Sequence, residues 1–234
     1  MSLEQIKNTR LQKLQLLRDA GIDPYPATVG RTHEIIRIKD SFAALSESRE
    51  RVSIAGRVRS LRAHGGSTFT DIEDGTGRIQ IYLKADVIGK EAYDLFVSTV
   101  DTGDFIETAG ILFLTKKQEQ TLEAAQWWML AKSILPLPEK WHGLRDEEER
   151  FRKRYLDILF NAEVREMIEK KSRFWEVVRN FLNGCGFMEV ETPVLEITAG
   201  GADARPFITH HNALDLDVYL RISCGELWQK RLLI

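Results

Sequence analysis

Short runs of alternating apolar and polar residues, separated by glycine-rich turns, fill the chain from residue 51 to residue 136 and limit the folds that it can adopt. The apolar members are Val52, Ile54 and Val58 in one run and Ile79, Ile81 and Leu83 in another. A period of two is typical of strands with one buried face. His-Gly-Gly at 64–66 and Asp-Gly-Thr-Gly at 74–77 supply tight turns between the runs. These features predict an antiparallel β-barrel.

A helical pattern at residues 87–100 interrupts the strands, and further strands are predicted at 104–114 and 126–133. This is the order of a five-stranded OB-fold with its inserted helix. Such folds bind single-stranded nucleic acid through aromatic side chains that stack on bases and polar side chains that read base edges. Phe69, Gln80 and Arg62 are the candidates for these roles. A core phenylalanine and a surface glutamine are the alternative interpretation.

A helix is predicted at residues 2–20, before the barrel. Ser2 and Gln5 form a capping box, and apolar residues recur at helical spacing until Gly21 and Pro24 end the pattern. The polar side of this helix carries four cations, Lys7, Arg10, Lys13 and Arg18. They indicate either a contact with an RNA backbone or an ordinary solvated face.

Residues 134–160 are predicted to connect two domains, because Pro136 and Pro138 precede a highly charged helical segment. Its cations are Arg150, Arg152, Lys153 and Arg154, directly after four acidic residues at 146–149. The cations could neutralise RNA phosphates or pair with the acidic residues along the helix, and the sequence favours neither. A long amphipathic helix is predicted next, from about residue 164 to 182.

Residue types that often contribute to binding sites and interfaces are concentrated between Gly186 and Ile222. Side chains alternate from Phe187 to Thr192, as in an edge strand, until Pro193, which has no N–H to donate to a ladder. Gly200 and Gly201, at which backbone can approach a ligand closely, and Arg205, His210 and His211 follow. The two histidines are expected to be surface or structural residues without a role in proton transfer.

Composition sets broader limits. The chain is 43% hydrophobic and 29% charged, with a net charge of −2, so RNA contact must come from a local basic patch. No apolar run is long enough for a membrane span and no signal peptide is evident, which predicts a cytoplasmic protein. Cys185 and Cys224 are expected to be free thiols, and no metal site is expected since the histidines form no zinc pattern.

The stretch from Gly186 to Ile222 resembles motif 1 and the following strands of a class II aminoacyl-tRNA synthetase, and ARPFITHHNALDLDVYLRI is most similar to the lysyl-tRNA synthetases. The resemblance extends over all 234 residues, including WHGLRDEEERFRKRYLDI. It implies an α+β chain: an N-terminal helix, a five-stranded OB-fold barrel that is mostly β, and the first part of a synthetase catalytic domain with an antiparallel sheet. The implied divisions are 1–50 for a helical extension, 51–136 for the anticodon-binding barrel, 137–160 for a linker and 161–234 for the incomplete catalytic domain.

The same resemblance assigns roles to individual residues. Phe69 and Gln80 match the residues that hold the central anticodon uridine in the family, with Arg62 nearby. Gln126 is expected near the start of the last barrel strand, where the family usually carries a glutamate. Lysine is expected beside Gly200, Gly201, Ala202 and Glu226, although Cys224 and Gly225 depart from the Ala-Pro that usually precedes this glutamate. Pro193 and the long helix are expected at the interface of a homodimer.

The family attaches lysine to its tRNA with ATP and Mg²⁺ through a lysyl-adenylate. Motifs 2 and 3, which supply the cations that clamp ATP and most metal ligands, would lie beyond Ile234, so this chain alone is expected to bind neither cofactor well and to be inactive. The expected partners are lysine-specific tRNA, lysine and a second copy of the chain, without DNA or membrane. The alternative is a non-catalytic module that binds tRNA or dimerises.

Overall fold

The structure of the protein is a computed structural model, which describes residues 2–137, 146–198, 203–223 and Trp228. The chain separates into two units, Met1–Gly143 and Leu144–Ile234. The first is built on one β-sheet and the second on helices with a small antiparallel sheet, so the predicted α+β class is confirmed.

The first unit contains a closed barrel with the strand order β1-β2-β3-β5-β4. Its strands are β1 (Val52–His64), β2 (Ser67–Glu73), β3 (Arg78–Lys84), β4 (Phe105–Leu114) and β5 (Gln120–Ala131). Neighbouring strands are antiparallel except β3 and β5, whose parallel pairing closes the barrel. The predicted OB-fold is confirmed.

The apolar residues of the alternating runs fill the barrel core. Val52, Ile54 and Val58 of β1 are fully buried, as are Ile81 and Leu83 of β3. Backbone also packs tightly at a bulge in β4, where a Cβ added to Gly110 would lie 1.8 Å from the carbonyl oxygen of Glu123. Only glycine fits at that position.

Between residues 2 and 137 the first unit contains five helices: α1 (Leu3–Asp19), α2 (Ile35–Asp40), α3 (Phe42–Ser48), α4 (Ala85–Ile88) and α5 (Lys90–Thr99). The capping box of Ser2 and Gln5 at α1 is confirmed. The core cluster of the barrel includes four side chains that precede it in the chain, Leu17, Ile35, Ile38 and Phe42. The hydrophobic core of the barrel therefore includes side chains from both sides of residue 50, and the segment before the barrel contributes to it.

Two of the four cations on the polar side of α1 form hydrogen bonds to other parts of the first unit. Arg10 is buried and donates to the carbonyl oxygens of Ser133, Leu135 and Thr102 at 3.0 to 3.2 Å. Lys13 donates to the carboxylate of Asp101 at 2.6 Å. For these two residues, neither an RNA contact nor a solvated face is correct, because their partners lie far away in the sequence and come close only in the folded barrel.

The second unit begins with three helices, α6 (Glu147–Arg152), α7 (Arg154–Phe160) and α8 (Ala162–Gly184). The predicted long helix is α8. Two ion pairs, Arg152–Glu148 and Lys153–Glu149, link residues four apart, and Arg150 and Arg154 both bind Asp157. Of the two interpretations of this basic cluster, pairing with neighbouring carboxylates is the one that the structure supports.

A three-stranded sheet follows, in the order β6-β8-β7, with β6 at Leu195–Glu196, β7 at Ile208–His211 and β8 at Leu216–Leu220. The edge strand predicted from Phe187 to Thr192 does not form, because no described strand pairs with this run. Instead, the guanidinium of Arg221 donates hydrogen bonds to the backbone carbonyl oxygens of Thr192 and Pro193, both at 2.9 Å. Among the described helices, α8 included, none has the length and apolar character that a bilayer crossing requires.

Candidate nucleic-acid groove

An open groove of about 1090 Å³ runs along the outer surface of the barrel. Three parts of the first unit line it: α2 with Lys39, strands β1 to β3 with Arg62, Phe69, Asp71, Arg78, Ile79 and Gln80, and residues 115–120, which connect β4 to β5 and include the first residue of β5. The structure thus brings together three of the four residues predicted to contact an anticodon.

Phe69 lies on the outer face of β2. Its neighbours in the strand, Thr68 and Thr70, are buried, whereas Phe69 is half-buried, and successive side chains of a strand point to opposite faces. The ring of Phe69 lies 4.6 Å from that of Tyr82 with a 30° angle between their planes, and Tyr82 in turn meets the edge of Phe113 at 6.1 Å. The ring of Phe69 therefore lies on the outer face of the sheet and packs against Tyr82. An outward aromatic ring of this kind is what base stacking requires.

Gln80 has a fixed amide orientation. Its Nε2 donates to the Glu119 carboxylate at 3.0 Å, and its Oε1 accepts from the Thr121 hydroxyl at 3.0 Å. Gln80 is only 7% exposed, whereas Glu119 is exposed. A carboxylate oxygen accepts more than one hydrogen bond, so Glu119 keeps acceptor capacity that faces the groove. Together the two side chains can read the polar edge of a base.

The position expected for Gln126 is wrong. Strand β5 begins at Gln120, so Gln126 lies in mid-strand opposite Ala109, where it accepts a hydrogen bond from Arg51, and it does not line the groove. The acidic residue at the strand start is Glu119. A signal was present in the sequence, since polar and apolar residues alternate from Thr121 to Ala124 after a polar stretch at residues 115–118, and in the structure Gln118 of that stretch has a φ of 60°.

Asp71 organises the arginines of the groove. Its carboxylate, itself almost fully buried, lies 2.7 Å from Arg78 and 3.5 Å from Arg62, and it also accepts from the Ser60 hydroxyl. Burial raises the pKa of Asp71, but the hydrogen bonds from Ser60 and Arg78 and the charges of the two arginines outweigh it and hold the pKa below the usual value. Arg62 and Arg78 are thus held in place by a shared counter-ion.

The other predicted site residues lie in the second unit. Gly200, Gly201, Ala202 and Glu226, together with Cys224 and Gly225, fall outside the described residues. Pro193 is exposed, as is the free thiol of Cys185. His210 pairs with Asp217 at 2.8 Å and is exposed at the surface, as is His211. Within the described ranges, no group of three or more histidine, cysteine and acidic side chains could hold a metal ion.

Comparisons with known proteins agree with this architecture. Residues 52–130 match a family of OB-fold nucleic acid binding domains, and residues 146–234 match the class II tRNA synthetases of the D, K and N group. A lysine–tRNA ligase of Pelotomaculum thermopropionicum is 50% identical over 99% of this chain and 45% of its own length. The corresponding ligases of Carboxydothermus hydrogenoformans and Thermotoga maritima are 48% and 44% identical, again over 99% of this chain and 47% of their own lengths.

The chain therefore spans less than half the length of the relatives that it matches. Its two matched segments are an OB-fold domain and a segment of the class II synthetases of the D, K and N group, and the relatives that match nearly the whole chain are lysine–tRNA ligases. The chain belongs to the class II lysyl-tRNA synthetase family, of which it represents an N-terminal portion.

Proposed function

We propose that the chain is part of a lysine–tRNA ligase, a cytoplasmic enzyme that joins lysine to its tRNA at the expense of ATP, and that the barrel binds the anticodon of that tRNA. The observation that carries the proposal is the groove itself. An outward aromatic ring, a fixed amide next to an exposed carboxylate, and several cations lie together there. Stacking, base-edge reading and phosphate attraction are the three interactions that single-stranded RNA requires.

In this proposal Phe69 stacks on the central anticodon base, and Gln80 with Glu119 reads its edge. Glu119 takes the role expected for Gln126, because Glu119 lies in the groove and binds Gln80 directly. Arg62, which is more than half exposed while paired with Asp71, contacts the sugar-phosphate backbone.

The first test is the variant Phe69→Ala, with affinity for a lysine-tRNA anticodon stem-loop and melting temperature measured on the same sample. Loss of one stacked base is expected to weaken binding by about 1–3 kcal/mol, and stability is expected to change little because Phe69 lies outside the core cluster. Phe113→Ala is the matched control, since Phe113 belongs to the same aromatic row but does not line the groove. Parallel loss of affinity and melting temperature would make Phe69 structural.

The second test concerns discrimination. Gln80→Ala removes hydrogen bonds to a base edge but leaves the stacking ring in place, so it is expected to reduce the preference for uridine at the central anticodon position more than the overall affinity. The measurement compares stem-loops that differ only at that base. An unchanged preference would remove Gln80 from the reading site.

Further proposals concern the second unit. Lysine is proposed to bind beside Gly200, Gly201, Ala202 and Glu226, and the whole protein to use ATP with Mg²⁺, which neutralises phosphate charge during adenylate formation. A second copy of the chain is proposed to cover α8 and the region of Pro193. Support comes from large apolar side chains of α8 that are exposed within the unit, such as Phe174 at 59% and Phe181 at 69%. Lysine-dependent ATP–pyrophosphate exchange by the whole protein tests the activity.

A further inference from the structure

Lys39 reaches the groove from a helix that precedes the barrel in the chain. Two residues of α2, Ile35 and Ile38, are fully buried in the barrel core. The backbone N–H of Ile35 also donates to Asp74 at 3.0 Å, and that of Ile36 donates to Thr76 at 3.1 Å. Since α2 is fixed both to the core and to the turn between β2 and β3, Lys39 in its last turn has a defined place on the groove.

The cations of the groove are of two kinds. Arg62 and Arg78 share the carboxylate of Asp71, so much of their charge is balanced within the protein. Lys39, Lys116 and Lys117 line the same groove, and in the part of the chain that the structure describes none of them forms an ion pair. One carboxylate balances one of the two guanidinium charges, so most of the unbalanced positive charge of the groove lies on these three lysines. In a protein with a net charge of −2, this charge is local.

An unbalanced ammonium that lines the same groove as an exposed aromatic ring is suited to binding one part of a nucleic acid, the phosphate. Every nucleotide that stacks on a ring brings a phosphate with it, and a lysine that neutralises the phosphate releases a bound counter-ion. We propose that Lys39 contacts a backbone phosphate of RNA bound in the groove, so that α2, which lies outside the matched OB-fold segment 52–130, forms part of the binding site. This inference rests on the proposed function of the barrel.

The experiment measures the affinity of the 234-residue chain for the lysine-tRNA anticodon stem-loop over a range of salt concentrations. Lys39→Gln is expected to reduce the slope of log K against log salt by about 0.7, the value for one phosphate of a single strand, so that its defect grows about fivefold for each tenfold dilution of salt. Stem-loops with a changed central base are expected to lose affinity by the same factor, because a phosphate contact reads no sequence. Lys39→Arg is expected to retain the slope of the native chain.

Lys90→Gln is the matched control, because Lys90 is an exposed lysine of α5 that does not line the groove. It is expected to behave as the native chain does. If Lys39→Gln leaves both slope and affinity unchanged while Phe69→Ala still weakens binding, the inference is wrong and the proposed function stands. If the native chain shows no binding that depends on Phe69, both are wrong. Lys39 is exposed, so equal melting temperatures are expected throughout.

Discussion

The two units of the chain contain comparable amphipathic segments but differ in how much of their apolar surface they cover. The barrel unit encloses a cluster of nineteen buried residues, from Leu17 to Met129. In the described part of the second unit, the buried apolar side chains are Val164 and Val218, while Met188 and Phe207 are 84% and 79% exposed. Among the residues that the structure describes, regular helices and strands are thus present in both units, but only the first unit has a core of buried apolar side chains.

Sheet closure accounts for the difference. In the first unit, pairing of β3 with β5 leaves the barrel without a free edge, and the helices cover what remains. The sheet of the second unit has three short strands with edges at β6 and β7. Such a sheet, together with one long helix, buries too little surface to offset the entropy of ordering the chain. The barrel is therefore expected to be the stable part, and the second unit to depend on additional surface.

The largest effect is expected from the buried ion pair of the barrel. Lys132 is fully buried and lies 2.7 Å from Asp104 and 2.6 Å from Asp101. Lys132→Met leaves the buried carboxylate of Asp104 without its counter-ion, whereas Asp101 keeps its pair with Lys13, and the expected loss of unfolding free energy is about 3–5 kcal/mol. The control in the second unit is Lys170→Met, whose pair with Glu166 is exposed on both sides and is worth about 1 kcal/mol or less. Urea denaturation of both variants measures the contrast, and equal losses would contradict it.

A slightly smaller effect is expected in the helix that precedes the barrel. Ile38→Ala removes a fully buried side chain from the core cluster, and the expected cost is about 2–5 kcal/mol. Ile36→Ala, on the exposed side of the same helix, and Phe181→Ala on α8 are the controls; surface changes of this kind are expected to stay within about 0.5 kcal/mol. If Ile38→Ala cost no more than the controls, the first 50 residues would be an appendage rather than part of the core.

Low pH is expected to weaken the hydrogen bond between the backbone N–H of Ile35 and the carboxylate of Asp74, which holds α2 to the turn between β2 and β3. Burial raises the pKa of Asp74, but hydrogen bonds from the N–H groups of Ile35, Thr76 and Gly77 and from the Thr76 hydroxyl outweigh it and lower the pKa. Its contribution is therefore complete above the unfolded value of about 3.9 and is lost as the pH falls through the lower folded value. Asp74→Asn is expected to show a shallower fall of unfolding free energy in that range.

Asp40→Asn is the control for this comparison, because Asp40 is an exposed carboxylate of the same helix. Its stability is expected to depend on pH as that of the native chain does. The prediction fails if the two variants give the same pH profile of unfolding free energy.

The smallest effect on stability is expected on α8, where Phe181→Ser removes an aromatic ring that is 69% exposed. Unfolding free energy is expected to change by less than about 0.5 kcal/mol, whereas self-association is expected to weaken if a second copy covers this face. Sedimentation velocity over a range of concentrations measures it, with Arg173→Ala on the same helix as the control. An unchanged dimer would exclude this face from the interface.

The sequence predicted those parts of the fold that depend on neighbours in the chain. Alternation located the barrel strands, and Ser2 with Gln5 located the start of α1, because both patterns are local. The partners of Arg10 and Lys13 were not predictable, since they lie 88 to 125 residues away. The early start of β5, and with it the place of Glu119, was missed because Leu122 is the only large apolar residue between Leu114 and Trp127, so the alternation there is weak.

The hydrogen bond between Arg10 and the carbonyl oxygen of Ser133 also has a consequence for synthesis, because it joins residues 123 positions apart. Ribosomes add about 5–20 residues per second, so α1 emerges on the order of ten seconds before its last partners exist. Tertiary contacts with Ser133 and Leu135 cannot hold the helix during that interval. The capping box at Ser2, which is entirely local and of a kind worth about 1 kcal/mol, favours the helix from the moment its first turn is translated.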